Sequence, residues 1–99
     1  MGLMMMITQA QENYKKTSGS YGTMDQLIEA KHLSKEFFEN TGYKFEIFVS
    51  GGDKFEALAA PIEYGKNGKM SFFVDQTRVL RGADHNGASA NSADPPVWQ

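Results

Sequence analysis

The chain contains no cysteine, which excludes disulfides, thiolate metal sites and a cysteine nucleophile. It also lacks a strong charge of either sign, since its formal net charge is −2. No basic surface therefore points to nucleic acid, and no polybasic run points to an anionic membrane. The apolar N-terminal run, residues 3–7, is far shorter than the roughly 20 residues that a membrane-spanning helix needs. That run also lacks the charged start and cleavage site of a secretory signal.

What the chain does contain predicts one α+β domain. Its 99 residues are enough for one domain and too few for two. Residues 43–81 alternate apolar and polar side chains between turns, which predicts a four-stranded antiparallel meander with one face that must be covered. We expect residues 1–82 to form the globular domain. Residues 83–99, rich in Ala, Ser, Asn and Pro, are expected to form a C-terminal tail that is partly docked on it.

An amphipathic helix is predicted over residues 3–16, packed on the sheet. The predicted packing and assembly residues lie on one stripe or at its apolar start: Leu3, Met4, Ile7, Ala10 and Tyr14. Gln9, Gln11, Glu12 and Asn13 are assigned largely to positions off that stripe. The first turn is apolar almost all round because of its methionines, which favours a partner beyond the sheet over simple core filling. Such a start is typical of a helix that has lost its first half.

Capping and turn signals divide the rest of the chain. Thr23 and Gln26 fit a capping box, which predicts a short helix ending near residues 30–32. Ser34 is predicted to cap one or two further turns. Residues 50–53 predict a tight turn, and the Asn67-Gly68 pair predicts a hairpin. A last short strand is predicted to begin at residues 79–80.

Few residues suggest chemistry, and neither a catalytic site nor a cofactor is expected. The two histidines lie in unrelated segments, and no carboxylate pair is held on one rigid element. Asp84 and Asn86, with Asp94 further on, form a fragment of a calcium loop. The closing glutamate is absent, however, and a polar turn is the favoured interpretation.

Three aromatic residues are candidates for surface contacts. Phe48 and Phe73 fall on the predicted polar face of the sheet, so either that face is partly covered or the two rings form an exposed contact patch. Trp98, close to the C-terminus, is expected to dock the tail onto the domain.

Several segments, taken in order, resemble type IV pilin-like proteins, which include the type II secretion pseudopilins. The similar segments are ITQAQENY at residues 7–14, SGSYGT at 18–23, GYKF at 42–45, FEALAAP at 55–61, SFFVDQT at 71–77, VLR at 79–81 and ADPP at 93–96. Two departures stand out. Arg78 replaces a glycine that is usual in the family, and the apolar N-terminal half of the family's long helix, with its cleavage site, is not in this sequence.

The resemblance implies a structural role without catalysis. The chain would be the head domain of a subunit in a type IV pilus or a secretion pseudopilus, anchored in the inner membrane before assembly and placed at the periplasmic face or outside the cell. Its partners would be other subunits or a separate membrane-anchored protein, and this chain alone is expected to be monomeric in dilute solution. The alternatives are a soluble extracytoplasmic module that binds proteins through its exposed aromatic residues and, less favoured, a small enzyme.

Overall fold

A computed structural model describes residues 2–39, 41–66 and 68–97. Two α-helices, α1 (Gly2–Ser18) and α2 (Met24–Glu29), and a 3₁₀ turn (Lys35–Phe37) precede four strands: β1 (Tyr43–Ser50), β2 (Lys54–Pro61), β3 (Met70–Asp75) and β4 (Arg81–Asp84). The strands form one antiparallel sheet in the order β1-β2-β3-β4. The predicted α+β fold, a helix packed on a four-stranded meander, is therefore confirmed. None of the described helices combines the length and apolar character needed to cross a membrane.

The core lies between α1 and the central strands. Met4, Ile7 and Ala10 of α1 are buried in one apolar cluster with Ala57 and Ala59 of β2. Small side chains on a strand let a helix approach the sheet closely, which explains why alanines occupy these positions. The cluster is completed by larger buried side chains from the surrounding elements, among them Leu27, Leu33, Phe55, Val74 and Leu80.

Gln11 is fully buried, so its predicted place off the apolar stripe is wrong. It follows Ile7 by one helical turn and therefore lies on the same face of α1. Its side-chain amide donates to the Gly22 carbonyl oxygen at 2.7 Å, and its Oε1 accepts from the Gly22 N–H at 2.9 Å. This pair of hydrogen bonds satisfies a buried stretch of loop backbone and ties the α1–α2 loop to α1.

Both ends of α2 are capped by local hydrogen bonds. The predicted capping box is confirmed: Thr23 Oγ1 accepts from the Gln26 N–H, and Gln26 Oε1 accepts from the Thr23 N–H. At the other end, the N–H groups of Lys31 and His32 donate to the carbonyls of Ile28 and Leu27. This is a Schellman motif, with Lys31 in the left-handed conformation at φ 65°.

Ser34 does not cap the predicted turn that follows it, so its predicted capping role is wrong. Its side chain makes no capping hydrogen bond, and the segment after it forms only the 3₁₀ turn Lys35–Phe37. Phe37 is half exposed there, while Phe38 stacks edge-on against Phe45 of β1 with ring centroids 5.0 Å apart. One apolar anchor is too few to hold a longer helix against the sheet.

The connections between strands contain residues with positive φ. Gly51 and Gly52, at φ 64° and 80°, form the predicted turn between β1 and β2. The β2–β3 connection spans residues 62–69, and the predicted Asn67-Gly68 hairpin involves Asn67, which is outside the described residues. In the β3–β4 turn Arg78 has φ 65°, so this position keeps a conformation that favours glycine although an arginine occupies it.

The C-terminal segment closes one edge of the sheet. β4 begins at Arg81, two residues later than predicted, and it runs across the predicted domain boundary at residue 82. Residues 94–97 then return along its outer side: the Gly82 N–H donates to the Pro95 carbonyl at 3.1 Å, and the Val97 N–H donates to the Leu80 carbonyl at 2.7 Å. A Cβ at Gly82 would lie 2.8 Å from the Ser71 carbonyl oxygen, so glycine permits this close crossing.

Candidate interaction surface

The predicted assembly residues of α1 are used mainly inside the domain. Met4, Ile7 and Ala10 are buried against the sheet, while Leu3 and Tyr14 are half-buried. These side chains therefore pack the core and leave little surface for another molecule. The exposed apolar side chains of the first turn are instead Met5 and Met6, with 36% and 37% of their surface accessible.

Met5 borders an apolar groove next to the C-terminal segment. The groove, of about 560 Å³, is lined by Met5, Arg78, Val79, Leu80, Arg81, Pro96 and Val97. Each of its two arginines contacts a residue outside the groove lining. Arg78 Nε lies 3.8 Å from Glu12 Oε1, and Arg81 Nη1 donates to the Asp94 carbonyl at 3.0 Å. The groove thus joins the start of α1 to the closed edge of the sheet.

The three candidate aromatic residues do not form one patch. Phe48 is 52% exposed on the face of the sheet opposite α1, as a contact residue would be. Phe73 is only 2% exposed, so its assignment to a surface contact is wrong. Trp98 lies outside the described residues.

The burial of Phe73 has a structural reason that the strand pattern does not contain. Ser71 lies on the same face of β3, and its hydroxyl donates to the Ala88 carbonyl at 2.6 Å. The segment after β4 therefore crosses this face of the sheet, and Ser71 is itself fully buried. This face of the sheet is therefore covered at Phe73 and exposed at Phe48.

Phe48 stands at a shallow cleft near the β1–β2 turn. The cleft, of about 340 Å³, is lined by Phe48, Val49, Ser50, Lys54, Phe55, Glu56, Asp75 and Gln76. Phe48 is paired across the strands with Glu56. The Gln76 Oε1 accepts from the Phe55 N–H at 3.3 Å, so the Gln76 side chain links the end of β3 to the start of β2. The cleft offers an apolar ring with a few polar groups and no convergent catalytic set.

The carboxylates of the suggested calcium loop are occupied by the protein itself. Asp84 accepts from the Tyr64 hydroxyl at 2.7 Å and from the Asn86 N–H at 3.0 Å. Asp94 accepts from the Asn91 N–H at 2.9 Å, and its Oδ2 lies 2.7 Å from His85 Nε2. These contacts make the segment a polar turn. Within the described ranges, no three His, Asp or Glu side chains are grouped so that they could hold a metal ion.

The same hydrogen bonds shift the ionisation of these groups. The pKa of Asp84 is lowered, chiefly by the Tyr64 hydroxyl and then by the Asn86 N–H. The pKa of Asp94 is lowered by the Asn91 N–H and by the hydrogen bond with His85. The pKa of Tyr64 is raised, because its hydroxyl donates to the Asp84 carboxylate. Each shift favours the hydrogen-bonded form seen in the folded chain.

Comparison with known proteins adds no family to this description. No family model, no curated protein and no solved structure matches the chain. The sequence segments, the fold and the surfaces described above are therefore the basis for a functional proposal.

Proposed function

We propose that the chain is the head domain of a structural subunit of a type IV pilus or of a type II secretion pseudopilus. Two observations support this role. Segments between residues 7 and 96 resemble pilin-like proteins in order along the chain. The architecture, one N-terminal helix laid across an antiparallel meander, is the one that this resemblance implies. The role needs no catalytic residue.

The observation that carries the proposal is the two-sided start of α1. One side of its first turn, at Met4, is fully buried in the core, while Met5 and Met6 on the other sides remain more than one-third exposed. Because burying a methionine side chain is worth about 1.5–3 kcal/mol, neighbouring exposed methionines provide a useful contact surface. Met5 also lines the apolar groove, so the surface continues from the helix to Val97. A neighbouring subunit would cover this surface.

Under this proposal the partners are other subunits of the same class, or a separate membrane-anchored protein. The domain would work at the periplasmic face or outside the cell. In dilute solution the chain alone would be monomeric, because the exposed surface at Met5 and Met6 is small compared with the roughly 1,200–2,000 Å² that a stable interface buries.

Site-specific photo-crosslinking in the source cells tests the proposal. A benzophenone amino acid in place of Met6 should produce a ladder of bands at multiples of the subunit mass after irradiation. The same probe at Lys16, which is exposed near the other end of α1, is the matched control and should give far fewer products. A Met6 probe that gives only the single-chain band, or one adduct with an unrelated protein, would contradict a role as a filament subunit.

A second candidate, a protein-binding module, is favoured by one observation only, the exposure of Phe48. A benzophenone probe at Phe48 that captures one discrete protein, while the Met6 probe gives no ladder, would support this module instead.

A further inference from the structure

The two edges of the sheet are treated differently by the rest of the chain. β4 is one edge, and residues 94–97 close it with backbone hydrogen bonds to Leu80 and Gly82. β1 is the other edge, and no described strand pairs with its outer side. An open edge of eight residues presents unpaired backbone groups to other chains.

The hydrogen bonds of β1 show which of its groups point outward. The Ile62 N–H donates to the Gly42 carbonyl at 2.9 Å, next to the Tyr43–Pro61 pair of the ladder. Because backbone groups alternate between the two sides of a strand, those of Phe45, Ile47 and Val49 point away from β2. The outward groups of Tyr43 are already bonded to the Thr41 hydroxyl, at 3.2 and 3.4 Å.

The outward positions carry apolar side chains that the domain covers only in part. Phe45, Ile47 and Val49 border the apolar core on the α1 side of the sheet, yet each remains half-buried. α1 packs mainly on β2 and β3, and at this edge Phe38, next to the 3₁₀ turn, covers part of Phe45. A further strand beside β1 would bury more of these three side chains and pair their backbone groups.

The charges on the other face of β1 select the partner. Lys44 and Glu46 lie two residues apart on that face, with Lys44 Nζ 3.7 Å from Glu46 Oε1. The Lys44 side chain is exposed and the Glu46 side chain is partly accessible. If a second copy of β1 runs antiparallel with Phe45 facing Phe45, Lys44 of each copy lies opposite Glu46 of the other. The strand is therefore complementary to itself in charge as well as in apolar pattern. In the same register Ile47 of each copy lies opposite Tyr43 of the other, so the Thr41 hydroxyl must release the Tyr43 backbone groups as the strands pair.

We propose that β1 is a self-recognition edge, through which two copies of this chain pair antiparallel about Phe45 and form one continuous sheet. The contact is limited to one strand from each copy, so it belongs to the small and transient class of interfaces. It is consistent with a monomer in dilute solution, because pairing then appears only as the concentration rises. The inference does not depend on a filament role.

Sedimentation equilibrium of the whole chain over a wide concentration range tests this inference. We expect the average mass to rise from 11.0 kDa toward the mass of two chains. Lys44→Glu and Glu46→Lys should each weaken the association about tenfold, because two cross-strand charge pairs become repulsive. An equal mixture of the two variants should associate again, since the two reversed charges then lie opposite each other with unlike sign, and so do the two unchanged charges.

Two controls make the experiment specific. Lys16→Glu makes the same change in net charge as Lys44→Glu, but on α1, away from β1, and should associate like the unmodified chain. Thermal unfolding of every variant must match that of the unmodified chain, which is expected because neither charged side chain is buried. A chain that stays monomeric at all concentrations, variants that associate normally, or a mixture that does not recover would each overturn the proposed pairing.

Discussion

Replacing Gln11 by leucine should destabilise the domain strongly although leucine is apolar and similar in size. Gln11 is fully buried, and it satisfies both the N–H and the carbonyl of Gly22. Leucine can satisfy neither group. Each buried backbone group left without a partner costs about 1–3 kcal/mol, so we expect a loss of about 2–5 kcal/mol in the free energy of unfolding. That is a large part of the roughly 5–15 kcal/mol of a typical domain.

Urea unfolding followed by circular dichroism measures this loss directly. With a slope of about 1–3 kcal/mol per M for a domain of this size, the unfolding midpoint should fall by at least about 0.7 M. Gln9→Leu is the matched control, because Gln9 is exposed on the same helix and its replacement should change the free energy by no more than about 0.5 kcal/mol. Equal small losses for both variants would show that the pair of bonds to Gly22 contributes nothing, and our reasoning would be refuted.

A glutamate at position 11 separates hydrogen bonding from shape. Its carboxylate can accept from the Gly22 N–H, but it cannot donate to the Gly22 carbonyl unless it is protonated. Burial should raise the pKa of this carboxyl group above its usual value of about 4.3. The Gln11→Glu variant should therefore lose less stability at mildly acidic pH than at neutral pH, whereas the loss in Gln11→Leu should not change with pH.

Three further changes test other parts of the fold. Ile7→Asp should cost about 3–5 kcal/mol and lower the melting temperature sharply, because it forces an unpaired charge into the core beside β2. Lys31→Gly should raise the free energy of unfolding by about 0.5–1 kcal/mol, because glycine adopts the left-handed conformation without the steric cost that lysine bears. On acidification, the lowered pKa values of Asp84 and Asp94 mean that their stabilising effect is present above about pH 4, the unfolded value. It should be lost as the pH falls through the folded-state values, which thermal unfolding between neutral and strongly acidic pH would detect.

Each of these predictions has a control. Met6→Asp places the same charge on an exposed part of the turn that carries Ile7 and should change the melting temperature little. Lys35→Gly removes an exposed lysine where the backbone is not left-handed, so no gain is expected. Asp94→Asn should reduce the acid-dependent part of the loss. An unchanged melting temperature in Ile7→Asp, no gain in Lys31→Gly, or the same acid response in Asp94→Asn would contradict the corresponding prediction.

Local patterns predicted the fold, and what they missed depends on contacts between distant segments. The alternation in residues 43–81 and the capping box at Thr23 specify structure within a few residues, and the sequence contains that information. The spacing of Gln11 after Ile7 also placed it on the buried face, but its polar side chain led to its assignment elsewhere. A buried glutamine becomes expected only once a partner such as the Gly22 backbone is known.

The candidate surfaces were less predictable for the same reason. Strand alternation places Phe73 on the same face as Phe48 and leaves open whether that face is covered, because it cannot reveal that the segment after β4 crosses the face at Ser71. The exposure of Phe48 follows from alternation alone, because nothing from the described chain covers its end of the sheet. Arg78 could not be predicted for a different reason. It adopts the left-handed conformation in the β3–β4 turn, although arginine does not favour that conformation.

Gly82 has a consequence for how far this sheet could grow. Any side chain there would press on the Ser71 carbonyl of β3 and on Val97, and so would strain the contacts of β4 with both of its neighbours. While residues 94–97 lie along β4, the proposed pairing at β1 stops at two molecules, because the β4 edge of each molecule is already occupied. If a methyl group at residue 82 displaces residues 94–97, the β4 edge opens as well, and the pairing of two molecules becomes an assembly that can extend without limit.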